Sequence, residues 1–161
     1  MKTTRGFTLI ELVIVIVLIG ILSATGSLLL RQTFKGYFTG KNITDLANKT
    51  TIATSNLMRE LKSAESISVL GANTLTFVNQ LGQTVVIDFN GTTLRRNVNG
   101  AGAQTLCTQV TSVAFAYFGE TFATTAIANN VRFLTMQLAA ATNEGLPYSL
   151  MAGTVLRKTL P

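Results

Sequence analysis

FTLIELVIVIVLIGILSATGSLLL, from Phe7 to Leu30, contains one charged side chain, Glu11, in 24 positions. As an α-helix this stretch extends roughly 36 Å, enough to cross about 30 Å of hydrocarbon with some tilt. A carboxylate in such a span is unfavourable. At a helix centre insertion scales place acidic side chains about 2.5–3.5 kcal/mol uphill, and Glu11, near one end, sits lower on that gradient. No cation lies within the span. The positive partner of Glu11 must therefore come from outside it.

Upstream, Met1–Gly6 is a short polar tail carrying Lys2 and Arg5. A secretory signal is the plain alternative, with Leu22-Ser23-Ala24 as its small-residue cleavage site and Thr25 as the mature end. Two features oppose it: the apolar run continues through Leu28–Leu30, and signal cores do not usually hold Glu. Lys2 and Arg5 before the span and Arg31, Lys35 and Lys41 after it leave the positive-inside rule without a preference.

Past Leu30 the apolar spacing becomes helical. Ile43, Leu46, Ala53, Leu57, Leu61, Ala64 and Ile67 form a stripe, with Lys49, Arg59, Glu60 and Lys62 mostly off it. The spacing predicts one helix from about Phe7 to Ser66, broken or bent near Gly36–Gly40. Gly20, Ser23, Ala24, Gly26 and Ser27 are small enough to let helices approach closely. After Ser66 the pattern is of strands: Ile67–Leu70, Thr74–Val78, Thr84–Phe89, Thr92–Arg96, Val110–Phe118, Val131–Leu138 and Tyr148–Arg157. Asn90-Gly91 signals a hairpin, Asn99-Gly100-Ala101-Gly102 a loop, and Asn143-Glu144-Gly145 a polar turn. Val113, Phe115 and Tyr117 should share a face. The fold expected is α+β: a long helix, membrane half then amphipathic half, packed on an antiparallel sheet. The divisions are 1–6, a tail; 7–30, the membrane half; 31–66, the amphipathic half; and 67–161, a β-rich head.

The formal charge is +6, from 13 Lys and Arg against 7 Asp and Glu, but the cations do not cluster. Arg95-Arg96 is the adjacent pair. Arg31, Lys35 and Lys41 fall where lipid headgroups would attract them. A nucleic-acid partner is not expected. Cys107, the lone cysteine, cannot form an intramolecular disulfide and reads as a half-buried strand thiol.

The chain has no histidine, and its acids, Glu11, Asp45, Glu60, Glu65, Asp88, Glu120 and Glu144, are scattered. A solvated helix face explains Glu60 and Glu65. Glu120 with Asp88 or Glu144 is the arrangement that could bind calcium, but no close carboxylate cluster supports it. The serines and the cysteine have no base to activate them. No catalytic residue, metal or cofactor is expected, and the chain is not expected to be an enzyme.

The run Lys2-Thr3-Thr4-Arg5-Gly6-Phe7-Thr8-Leu9-Ile10-Glu11-Leu12 resembles the N-terminal motif of the type IV pilin superfamily, which includes type II secretion and competence pseudopilins. The resemblance implies cleavage between Gly6 and Phe7 by a prepilin peptidase on the cytoplasmic side, and N-methylation of Phe7. Glycine suits the cut site because a side chain there would crowd the scissile bond. It also implies a mate for Glu11: the methylated ammonium of Phe7 on a neighbouring subunit. Its expected partners are other pilin or pseudopilin subunits, the peptidase, an inner-membrane assembly platform and membrane lipid. Its expected location is the bacterial inner membrane, single-pass with the head in the periplasm, and then a pilus or pseudopilus.

Further along, Leu57-Met58-Arg59-Glu60-Leu61-Lys62-Ser63-Ala64 is followed by Leu75-Thr76-Phe77, Thr93-Leu94-Arg95-Arg96, Phe115-Ala116-Tyr117 and Val155-Leu156-Arg157. This succession is similar to minor pilins and minor pseudopilins: the J-type pseudopilin of type II secretion, W-type minor pilins and mannose-sensitive haemagglutinin minor pilins. The proline that many major pilins carry in the membrane helix is absent. A minor subunit, at the tip or in initiation, is the expectation. The rival from another class is an adhesive or DNA-uptake pilin whose head binds a receptor or nucleic acid.

Overall fold

The computed structural model describes residues 6–157. Residues 1–5 of the expected leader, with Lys2 and Arg5, and residues 158–161 lie outside the described residues. The chain divides into two compact units, one up to Lys41 and one from Asn42. The division falls inside a single helix, α1, Leu9–Lys62.

The break or bend expected near Gly36–Gly40 is not an interruption, because α1 runs through both glycines as helix. Each glycine costs about 1 kcal/mol relative to alanine. Stopping there would strand carbonyls and N–H groups on both sides and demand a second nucleation, which costs more. The helix also ends four residues before Ser66. Ser63 and Ala64 donate to Glu60 and Leu61 carbonyls at 3.1 Å each, tightening the last turn, and Glu65 N–H then donates to Val78 O at 2.9 Å. That last bond commits the chain to a sheet.

From Asn42 onward the helix buries Leu46, Thr50, Ala53, Thr54, Leu57 and Leu61. The expected stripe holds there, with Ile43 half-buried and Lys49, Arg59 and Lys62 exposed. Ala64 and Ile67 are buried too, but beyond the helix end.

The expected antiparallel sheet is two sheets. β1 (Ser66–Leu70), β2 (Thr74–Val78), β3 (Thr84–Asn90), β4 (Thr93–Val98) and β5 (Ala103–Cys107) form a meander in chain order. β6 (Val110–Phe118), β7 (Phe133–Ala141) and β8 (Pro147–Val155) form the second, also in chain order. All pairings are antiparallel. The switch happens at Gln109, whose φ of +62° turns the chain out of the first sheet. Val110 N–H reaches back to Thr92 O at 3.0 Å while Ala141 N–H donates to Gln109 O at 3.0 Å, so the corner is bonded to both sheets.

The β1–β2 turn ties the sheets together. Tyr117 Oη donates to Gly71 O at 2.7 Å, and Phe115 N–H donates to Ala72 O at 2.9 Å. Gly71 cannot carry a side chain without strain, since a Cβ there would lie 2.7 Å from Thr74 O. Between the layers, Leu46, Leu57 and Leu61 meet Phe77, Ile87 and Leu94 from one sheet and Leu134, Met136 and Leu138 from the other. Val113, Phe115 and Tyr117 point into this core as expected. A long helix on antiparallel sheets of five and three strands is an α+β fold.

Candidate functional site

Gly6, Phe7 and Thr8 precede the first helical residue, Leu9. Gly6 and Phe7 are exposed, Phe7 by 73%. Thr8 occupies the N-cap position: its Oγ1 accepts a hydrogen bond from Glu11 N–H at 3.3 Å, and its carbonyl accepts from Leu12 N–H at 3.2 Å. Thr8-Leu9-Ile10-Glu11 has the Thr-x-x-Glu spacing of a capping box, and the Thr8 hydroxyl satisfies one of the N–H groups that the first turn leaves without a partner. Sequence reasoning missed this cap, although its spacing was in plain view.

Glu11 therefore sits in the first turn, where the helix dipole favours a negative group. That is a local effect and does not neutralise it. Among the described residues neither ion pair involves Glu11. The other polar groups of the span behave differently. Thr25 Oγ1 donates to Ile21 and Leu22 carbonyls at 3.1 Å, and Ser27 Oγ donates to Ala24 O at 2.8 Å. Those hydroxyls are satisfied inside their own helix and demand no neighbour. Glu11 is the one charged side chain of the span.

Around it, the large apolar side chains from Leu9 to Leu30 are exposed by 41% to 82%. So much apolar surface is suited to lipid or to other helices and ill suited to water. Residues 1–27 match the family described as Prokaryotic N-terminal methylation motif. The chain carries a type IV pilin signal. No curated protein matches the chain. The matched stretch contains Gly6, Phe7 and Glu11, the residues picked out from sequence, and also Thr8, whose hydroxyl accepts from Glu11 N–H.

Beyond the membrane half, several of the side chains considered for chemistry are engaged with partners. Glu60, expected on a solvated face, is instead half-buried against Arg96: Arg96 Nε donates to Oε2 at 3.0 Å and Nη2 to Oε1 at 2.6 Å. The reason is register. Arg96 shares the inward parity of Leu94 on β4 and faces α1, where Glu60 flanks the buried stripe. The bond to Glu60 holds the guanidinium above its ordinary pKa. Arg95, on the opposite face, pairs with Asp88 directly across β3. Glu144 accepts from Asn42 Nδ2 at 3.3 Å. Asp88, Glu120 and Glu144, weighed for calcium, do not converge, and no group of three Cys, Asp or Glu assembles among the described residues. Cys107 ends β5, is buried, and donates to Thr108 O at 3.4 Å; burial pushes its thiol pKa up.

Proposed function

We propose that the chain is the precursor of a minor pilin or minor pseudopilin, a structural subunit and not an enzyme. The observation that supports this most is Glu11, a carboxylate in the first turn of an exposed apolar helix, inside the stretch that matches the methylation motif. A prepilin peptidase hydrolyses the Gly6–Phe7 bond, leaving an amino group on Phe7 that stays cationic once methylated. This ammonium pairs with Glu11 of a neighbouring subunit. In low dielectric the attraction is far stronger than in water, provided both groups leave water together. A lone subunit in lipid carries an unmatched carboxylate; a subunit in a filament does not.

In this account the N-terminal tail is cytoplasmic, the helix crosses the bacterial inner membrane, and the head lies in the periplasm before entering a pilus or type II secretion pseudopilus. The partners are sister subunits, the peptidase, an assembly platform and lipid. The uninterrupted, proline-free membrane half and the order of motifs in the head favour a minor subunit. Mass spectrometry of the native N-terminus tests the proposal: methylated Phe7 is expected, and a mature chain beginning at Thr25 or retaining Met1 would overturn it.

A further inference from the structure

We infer that the α1 surface carrying Arg31, Phe34, Lys35, Phe38 and Lys41 is a docking face for anionic phospholipid headgroups. The inference rests on the membrane-spanning part of the proposed function and is independent of filament assembly.

Because α1 continues as helix through these positions, their angular placement is fixed. At 3.6 residues per turn the five side chains fall within an arc of roughly 120°. All five are exposed. Arg31, Phe34 and Lys35 lie within about 8 Å of Leu30 along the axis. Side chains on a helix lean toward its N-terminus, here back toward the apolar span, which lets Arg31 and Lys35 reach the bilayer edge with their stems along apolar surface. The phenyl rings suit the acyl boundary that such a face meets.

Charge selects the occupant. No acidic residue lies between Glu11 and Asp45, so this whole length of helix is positive or neutral. Among the described residues the two ion pairs, Arg95–Asp88 and Arg96–Glu60, involve none of the three cations. A second copy of the chain is a poor source of counter-charge: it carries 7 acids against 13 Lys and Arg, and Asp88 and Glu60 are committed to Arg95 and Arg96. A bilayer surface with phosphate headgroups supplies negative charge at the right height, beside the end of a membrane-length segment.

The test uses the full chain in mild detergent with equimolar phosphatidylcholine and phosphatidylglycerol, measuring retained lipid by native mass spectrometry. Phosphatidylglycerol should be enriched, on the order of fivefold per engaged cation at low salt. The preference should fade between about 0.05 M and about 0.5 M salt. The R31Q/K35Q/K41Q variant, altered only at exposed positions, should retain the two lipids equally. Equal retention by the wild type, or an unchanged preference in the variant, overturns the inference. Flotation with neutral and with phosphatidylglycerol-containing vesicles separates the two levels. Wild type that floats without headgroup preference refutes the docking face alone, whereas wild type that floats with no vesicle refutes the membrane span as well.

Discussion

Arg96 on β4 grips both carboxylate oxygens of Glu60 on α1, at 3.0 and 2.6 Å, across 36 residues of sequence. The two side chains keep 24% and 22% of their exposure, so the pair is neither dry nor free in solvent. Removing one partner strands the other. Glu60→Ala should destabilise the chain by about 1–3 kcal/mol, less than for a dry pair because water still reaches the site. Replacing both, as E60L/R96M, should recover most of the loss. Urea unfolding of the full chain in detergent reads this directly, and a double variant no better than the single would argue against the pairing.

Stability should fall as pH rises above about 9. Burial raises the Cys107 thiol from its ordinary 9.0, and burial likewise raises the Tyr117 phenol above its ordinary 10.0. A group with a raised folded-state pKa contributes full stability below its unfolded pKa and loses it as pH climbs toward the folded one. Cys107 acts first and Tyr117 above it. Thermal melts at about pH 8 and about pH 10 should show a lower midpoint at the higher pH. Cys107→Ala should flatten that difference even if its midpoint at neutral pH is lower; an unchanged slope would mean the thiol does not contribute.

Thr8 and Glu11 share the start of α1 but should fail differently. Thr8→Ala removes the cap, worth about 0.5–2 kcal/mol, and leaves the carboxylate in place. Glu11→Ala keeps the cap oxygen and removes the charge. On the proposed function, E11A is cleaved but assembles poorly, while T8A frays the first turn and assembles better than E11A. Immunoblots for precursor and mature forms, with sheared-filament yield, distinguish the two. Equal filament yields from E11A and wild type would refute the charge pairing.

Much of this architecture was legible because it rests on contrast between neighbours in sequence. A carboxylate in an apolar run marks Glu11, and the 3.6-residue stripe marks Leu46, Leu57 and Leu61. The two Asn-Gly dipeptides show where local signals mislead. Asn90-Gly91 does make a hairpin, but Asn90 pairs with Thr93, so Gly91 and Thr92 are its central residues and Gly91 supplies φ +63°. Asn99-Gly100, expected only as a loop, has positive φ at both residues, as a type I′ turn requires, and leads into β5. β5 itself was unreadable: Ala103-Gln104-Thr105 is exposed and unpatterned, held by main-chain pairing to β4. The turn into the second sheet is made at Gln109, a non-glycine residue with positive φ that no propensity announces. Arg96 and Glu60 meet only because the fold brings a strand parity and a helix face together.

Two threonines one turn apart on the buried stripe of α1 make opposite demands. Thr50 Oγ1 donates to Leu46 O and Ala47 O at 2.9 Å each. Thr54 Oγ1 is buried with no hydrogen-bond partner among the described residues. Valine has nearly the same shape and a similar helix propensity, so each Thr→Val change isolates the hydroxyl. A buried hydroxyl without a partner costs about 1–3 kcal/mol. T54V should therefore stabilise the head by about 1 kcal/mol, whereas T50V discards satisfied bonds and should be neutral or destabilising. Denaturant midpoints measured side by side decide it. If T54V is the less stable of the two, the hydroxyl of Thr54 has a partner, such as a buried water, and the unmet bond assigned to it is wrong.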